Sequence, residues 1–166
     1  MFEAFFPDEC IDSAYDIDYE GLYAEGYRGI IYDIDNTLVP HDAPADERAR
    51  RLFERLNTLG FSCLVLSNNK EPRVKSFADD VGALYIHKAG KPMRSGYIAA
   101  MEKLDSDANT TIFIGDQLFT DVWGAKRAGI RNILVKQIDK REEIQIVLKR
   151  VLERIVMYFY RRRLQQ

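Results

Sequence analysis

Cysteine is scarce: Cys10 and Cys63 are the two in 166 residues. Two thiols exclude a disulfide scaffold and a four-cysteine zinc site. Cys63 lies inside an apolar run and reads as a small core residue. Long apolar runs are missing too. The longest, Ile155 to Tyr160, is far short of the ~20 residues that span a bilayer. The opening MFEAFFPDEC has no basic side chain and no extended apolar segment, so it does not look like a secretory signal. These absences together give the expectation of a cytoplasmic chain with reduced thiols. Three signatures are absent as well. Without G-x-x-x-x-G-K-[ST], or G-x-G-x-x-G after a strand, nucleotide-fuelled and dinucleotide chemistry lose support. Without G-x-S-x-G, so does the α/β-hydrolase elbow.

What is present describes a globular protein: 46% hydrophobic and 30% charged residues. A chain of this length buries roughly 70% of its unfolded surface, enough for a core without staples. The net charge of −2 conceals an asymmetry. Residues 140–163 carry eight Lys or Arg against three Glu, whereas residues 1–20 hold seven acidic side chains and no Lys or Arg. A basic tail on an acidic body suits an anionic partner, or only an internal balance of charge.

Short β-branched runs alternate with longer helical ones. Strands are expected at Arg28–Ile34, Phe61–Ser67, Ala83–Ile86, Thr111–Ile114 and Ile130–Val135. Helices are expected near 45–59, 71–80, 93–104, 119–128 and 141–162. Pro72 and Pro92 fall near helix starts, and Gly60, Gly82 and Gly129 fall where helices stop. The alternation predicts an α/β fold, a central parallel sheet covered on both faces. No repeat or long linker divides the chain. A single domain is therefore expected, with an N-terminal arm (1–25), a catalytic core (26–136) and a basic amphipathic C-terminal helix (137–166). The arm's aromatics, among them Phe2, Phe5, Phe6 and Tyr19, are expected to pack on the domain.

Open parallel sheets bind ligands beyond the carboxyl ends of their strands. Four segments bring polar groups there: Asp33-Ile34-Asp35-Asn36-Thr37, then Ser67-Asn68-Asn69, then Gly90-Lys91-Pro92, then Gly115-Asp116 with Asp121 five residues later. Asp33, Asp116 and Asp121 offer the hard oxygen ligands that magnesium prefers. With a metal and Lys91 neutralising a phosphate, Asp33 can attack phosphorus without prohibitive repulsion. Asp35 can protonate the leaving oxygen and then deprotonate the water that cleaves the aspartyl-phosphate. Ser67 and the amides of the next helix can hold phosphoryl oxygens. Taken singly, each residue has a plainer use: Asp116, Asp121 and Ser67 as caps, Asn36 and Asn69 as turn residues, Lys91 as a solvated cation. Their order along one edge weakens those uses. His41 and His87 lack a metal-like partner and read as structural or surface residues.

This set, Asp33-x-Asp35-x-Thr37, Ser67, Lys91 and Gly115-Asp116-x4-Asp121, resembles the four motifs of the haloacid dehalogenase (HAD) superfamily. The stretches YDIDNTLVP, LVLSNNKEPRVKSFA, AGKPM and IGDQLFTDVWGAKRAGI, after an early FFPDE, resemble the YqeG-like, subfamily IIIA phosphatases over about residues 2–136. The chain resembles phosphatidylglycerophosphate phosphatases more distantly. The resemblance implies a three-layer, Rossmann-like HAD fold. It implies Asp33 as nucleophile and Asp35 as general acid and base. Mg2+ would be held by the carboxylate of Asp33, the backbone carbonyl of Asp35, Asp116 and Asp121. Lys91 would balance charge, Thr37 would shape the first loop, and both would border the phosphate with Ser67 and Asn68.

Residues 38–60 have room for one helix, and 70–90 for one helix and one strand. Neither holds a lid, so a capless site is expected, open to a large substrate such as a protein, a nucleic acid end or a lipid headgroup. The leading expectation is a magnesium-dependent phosphomonoesterase for a phosphorylated substrate, with no nucleic acid partner. Its rivals are a phospho-accepting signalling module and a non-catalytic protein that binds through its basic helix. That helix places Ile144, Val147, Leu148, Val151, Leu152, Ile155, Tyr158 and Phe159 on one stripe, with Lys149, Arg150 and Arg154 off it. Either the stripe docks on the sheet and the charges stay in water, or the helix lies peripherally on an anionic membrane surface at its inner face.

Overall fold

The computed structural model describes residues 2–139 and 144–165, the side chains of 144–148 excepted. The strands are β1 (Glu9–Ile11), β2 (Gly29–Tyr32), β3 (Ser62–Leu66), β4 (Leu84–Ile86), β5 (Thr111–Gly115) and β6 (Arg131–Val135). The helices are α1 (Tyr19–Ala24), α2 (Glu47–Leu59), α3 (Glu71–Val81), α4 (Arg94–Lys103), α5 (Trp123–Arg127) and α6 (Ile144–Leu164). The strands form one parallel sheet in the order β1-β6-β5-β2-β3-β4. The α/β architecture read from the sequence is therefore present, with one strand more than expected. β1 is hidden in the sequence because it is three residues long, sits at the sheet edge and lies in an acidic stretch. The helix expected over 119–128 is a π-helical turn, Leu118–Val122, running into α5. The expected helix residues 141–143 lie outside the described residues.

β2 and β5 occupy the middle of the sheet and are buried along their whole length. Side chains alternate between the two faces, as the strand period requires. Ile30, Tyr32, Ile112 and Ile114 meet α2 and α3 through Leu52, Phe53, Leu56, Val74 and Phe77. Ile31, Leu64, Leu66 and Phe113 meet α4 and α5 through Tyr97, Ala100, Met101 and Ala125. A helix layer thus covers each face.

The N-terminal arm belongs to this core. Asn132, fully buried in β6, donates from its backbone N and its Nδ2 to Asp8 Oδ2 at 3.0 and 2.7 Å. Its Oδ1 accepts from the Asp8 amide at 3.2 Å. Phe5 packs on Phe119 and Trp123, and Phe6 on Tyr160. The arm's aromatics therefore pack as expected, in a third small cluster with Leu118, Val122 and Val156.

α6 departs from the docked-stripe alternative. It faces the domain with Arg150, Glu153, Val156 and Met157, and turns Val151, Leu152, Ile155, Tyr158 and Phe159 outward. The cause is polar demand beneath it. Asp116 carries a buried carboxyl group, and the Leu118 amide begins a helical turn with no side-chain cap from Gln117. Arg150 and Glu153 meet those needs, which an apolar stripe cannot. The expected stripe side chains Ile144, Val147 and Leu148 lie outside the described residues.

A buried hydroxyl relay also ties the arm to the sheet. Tyr32 Oη donates to Tyr19 Oη at 2.6 Å, and Tyr19 Oη donates to the Ala14 carbonyl at 2.6 Å. Tyr19→Phe strands both neighbours and should cost about 1–3 kcal/mol. Tyr32→Phe leaves the Ala14 bond intact and should cost less. Urea unfolding of the two variants checks the order, and a Tyr32→Phe loss equal to or larger than that of Tyr19→Phe contradicts it.

Candidate active site

The strand order reverses beside β2: the chain passes from β2 to β3 on one side and later returns to β5 on the other. Such a switch point opens a crevice at the carboxyl end of the strands. Asp33 leaves β2 there, and Asp116 leaves β5. Ser67 follows β3, and Lys91 arrives on the loop after β4. All four expected segments therefore converge on one edge, around a cavity of about 320 Å³ whose lining includes Asp33, Asp35, Ser67, Asn68, Lys91 and Lys149.

At the floor, Lys91 Nζ lies 2.6 Å from Asp33 Oδ1 and 2.7 Å from Asp121 Oδ1. The other Asp121 oxygen accepts the amides of Asp116 (3.1 Å) and Gln117 (3.0 Å). This fold-back needs Gly115, because a Cβ there would stand 2.4 Å from Asp121 Oδ2. The Thr37 hydroxyl lies 3.3 Å from Asp33 Oδ2 and 3.1 Å from Asp116 Oδ1. One hydroxyl proton cannot serve two carboxylates at once, so a demand for positive charge remains between them.

Asp35 stands at the rim. Its Oδ1 accepts the Asp42 amide (2.8 Å) and Arg73 Nη2 (3.0 Å). Asn36 makes the turn that carries it, with φ of 63° and its amide on the Val39 carbonyl. Ser67 Oγ accepts the Asn69 amide at 3.1 Å. Asn68, expected beside the phosphate, lines the cavity and also braces its neighbour. Its side chain brackets the Lys91 backbone, Nδ2 to the carbonyl at 3.1 Å and Oδ1 from the amide at 2.7 Å. Asn68 thereby fixes where Lys91 starts.

Three residues of the site are not apparent in the sequence. Arg73 sits in the first turns of α3 and pairs with Asp35. Arg150 of α6 bonds the Asp116 carboxylate, its backbone carbonyl (2.7 Å) and Glu153 Oε2 (2.9 Å). Lys149 borders the cavity. The last two read as solvent-facing charges because sequence spacing does not say which helix face docks. His41 also has closer company than expected. Asp35 and Asp42 stand near it, with potential ligand atoms within 4.8 Å of one another.

Electrostatics explain the cluster's character. Burial pushes the Asp33 carboxyl up to about 6, against the pull of Lys91 and with help from Asp121. Burial, then Asp33 and Asp121, drive Asp116 upward despite Arg150. Burial alone would pull Lys91 down, but Asp121 and Asp33 outweigh it and hold it protonated. Asp33, Asp116 and Asp121 bring oxygen atoms within 4.8 Å of one another, all buried. The upward shifts of Asp33 and Asp116 mark a cluster short of positive charge even with Lys91 and Arg150 present, so its oxygen donors fit a hard divalent cation.

Comparison with known proteins agrees with this geometry. A family model described as haloacid dehalogenase-like hydrolase matches residues 41–129, which take in Ser67, Lys91, Asp116 and Asp121 and begin after Asp33 and Asp35. The probable phosphatase YqeG of Bacillus subtilis (strain 168) is 36% identical over 160 residues, covering 96% of this chain and 93% of that protein. Phosphatidylglycerophosphate phosphatase 1, chloroplastic/mitochondrial, of Arabidopsis thaliana is 28% identical over 149 residues, 79% of this chain but 40% of that protein. Among solved structures, the 3-deoxy-D-manno-octulosonate 8-phosphate phosphatase of Yersinia pestis superposes with a TM-score of 0.56 at 15% identity, over 75% of this chain and 72% of that one, a likeness of fold. The chain belongs to the haloacid dehalogenase-like hydrolases.

The raised Asp33 carboxyl has a measurable consequence. A carboxyl with a higher pKa folded than unfolded contributes stability below its unfolded value, near 4, and loses it as pH rises through the folded value. Asp33→Asn cannot titrate. In EDTA, wild type should therefore lose stability relative to Asp33→Asn, by about 2–3 kcal/mol, between pH 4 and pH 7. Unfolding curves of both proteins across that range check it, and a parallel pH dependence contradicts it.

Proposed function

We propose that this chain is a magnesium-dependent phosphomonoesterase that works through an aspartyl-phosphate on Asp33. The observation that carries this reading is the buried trio Asp33, Asp116 and Asp121, with Lys91 between Asp33 and Asp121 and Arg150 on Asp116, beside an open cavity that Asp33 and Lys91 line. The same trio would hold the ion, with the Asp35 backbone carbonyl as a further ligand. Mg2+ bound there supplies Lewis-acid charge that offsets the phosphate's own.

The chain's residues then divide the work. Lys91 and Arg150 keep the carboxylates from repelling an incoming phosphate. An Asp33 oxygen forms a bond to phosphorus while the ester P–O bond breaks, and the leaving oxygen takes a proton from Asp35. In the second half, water gives a proton to Asp35 and attacks phosphorus, the Asp33–phosphorus bond breaks, and phosphate departs. Arg73 and the Asp42 amide aim Asp35 at the rim for both transfers. Ser67 and Asn68, which line the cavity, border the phosphoryl oxygens, while Thr37, expected beside them, lies buried outside the lining and bonds Asp33 and Asp116 instead.

The finer reading concerns the substrate. Only α2 separates β2 from β3, and only α3 and β4 separate β3 from Lys91. We take the site to be capless, which suits a large or membrane-borne phosphomonoester. Phosphatidylglycerophosphate is the first candidate, supported by the similarity to the plant enzyme.

Turnover of a generic aryl phosphate tests the chemistry, since a module that only accepts phosphate does not turn over. EDTA should abolish it and magnesium restore it. Asp33→Asn should lower kcat at least about a thousandfold. Persistence of either activity overturns the mechanism. Asp35→Asn should slow turnover by about 10²–10⁴-fold while magnesium affinity, measured by calorimetry, stays within a few-fold. A loss of magnesium binding in that variant overturns the division of roles.

A further inference from the structure

The outward face of α6 combines features that rarely coexist on solvent-exposed helices. Val151, Leu152, Ile155, Tyr158 and Phe159 are each between 44 and 56% exposed. At 3.6 residues per turn they occupy an arc of about 120°. Arg154 and Arg161 run along one edge of that arc, Arg163 along the other, and Arg162 closes its end. The one acidic residue between 149 and 165, Glu153, faces inward, where it accepts the Leu118 amide and pairs with Arg150. The helix itself therefore presents outward an apolar, partly aromatic stripe and cations; the carboxylate beside them is Glu3 of the arm, paired with Arg163.

This face is not the result of a helix failing to pack. The opposite face is committed: Arg150 to Asp116, Glu153 to Leu118, Val156 to Leu118 and Val122, and Tyr160 to Phe6. Rotating the stripe onto the domain would strand the buried Asp116 carboxylate and the Leu118 amide. Part of the stripe edge is shared with the arm, where Phe2 stacks on Phe159 at 5.4 Å between ring centroids. The rest meets solvent. Among the described residues no helix is long and apolar enough to cross a membrane.

We propose that the outward face of α6 is a docking face for an anionic lipid surface. Apolar side chains would enter the boundary between headgroups and acyl chains, and Arg154, Arg161 and Arg162 would meet lipid phosphates. Charge selects this occupant over a second copy of the chain. Glu3 of the arm pairs with Arg163 at one edge, but Arg154, Arg161 and Arg162 outnumber it, so two such faces would bring a surplus of arginines together, which is unfavourable. Position adds a use. Lys149, three residues before Leu152, borders the catalytic cavity, so the helix stands at the mouth of the site. Granted the phosphomonoesterase reading above, a surface held by α6 brings headgroup phosphates to that mouth.

The test uses the full chain and two kinds of vesicle, phosphatidylcholine alone and phosphatidylcholine mixed with phosphatidylglycerol, in co-sedimentation at low and high salt. Binding to the anionic vesicles alone, weakened by salt, is expected. Each basic side chain near an anionic surface is worth about fivefold in affinity, so Arg154→Gln, Arg161→Gln and Arg162→Gln together should weaken binding about a hundredfold. Leu152→Glu with Ile155→Glu should abolish it. Both sets are exposed residues outside the catalytic trio, and their circular dichroism and aryl phosphate turnover should match wild type. No binding to anionic vesicles at low salt, equal binding to neutral ones, or binding untouched by both variant sets overturns the proposal. So does a dimer in solution that Leu152→Glu with Ile155→Glu dissociates. Vesicle binding is read without turnover. A chain that binds vesicles but hydrolyses no phosphate refutes the enzymatic reading alone, and one that hydrolyses but does not bind refutes this proposal alone.

Discussion

The Lys91 ammonium, wedged between Asp33 and Asp121, is the interaction on which the rest of the site depends. Three carboxylates within a few ångströms of one another, all buried, would drive one another to protonate. A single cation touching two of them holds the group together, and its own charge is secured by the same pair. Breaking a buried pair by removing one partner leaves an uncompensated charge, which is far costlier than never having made it. The surrounding structure is arranged accordingly. Asn68 brackets the Lys91 backbone, Gly115 leaves space for Asp121 to fold back, and Thr37 joins Asp33 to Asp116.

Arg150 supplies the second countercharge, and it comes from a helix outside the sheet layers. α6 is thus joined to the site by charge as much as by packing. Its inward side chains answer an acidic residue and an orphan amide, and that choice decides which face meets the outside. A helix whose strongest demand is polar can leave its apolar stripe exposed, an inversion of the usual amphipathic rule. Small Val156 and Met157 contacts with the Leu118–Val122 turn complete the docking.

Much of this is legible in the amino-acid sequence. β2, β3 and β5 announce themselves as apolar runs ending in Asp33, Ser67 and Asp116, because strands buried on both faces cannot alternate. The order of those ends predicts the converging edge. Two things are hidden. β1 is too short and too acidic to read as a strand; it exists because Asp8 and the buried Asn132 satisfy each other across the sheet edge. The facing of α6 is hidden because periodicity identifies a stripe without saying what lies beneath. Arg73 shows the same limit at smaller scale: its partner Asp35 is 38 residues away, and only the fold brings them within 3.0 Å.

The Asp8–Asn132 clasp and the β1–β6 pairing also set an order of events during synthesis. Residues 2–11 leave the ribosome long before β6 and α6 exist. At roughly 5–20 residues per second, they wait on the order of ten seconds for their partners. Through that interval Phe2, Phe5 and Phe6 have neither Phe119 and Trp123 nor α6 to cover them. Closing a loop of more than a hundred residues is entropically unfavourable, so the edge strand joins only after the central sheet has formed. A segment made well before β6 is therefore among the last to find its place, and its aromatic side chains stay uncovered in the interval.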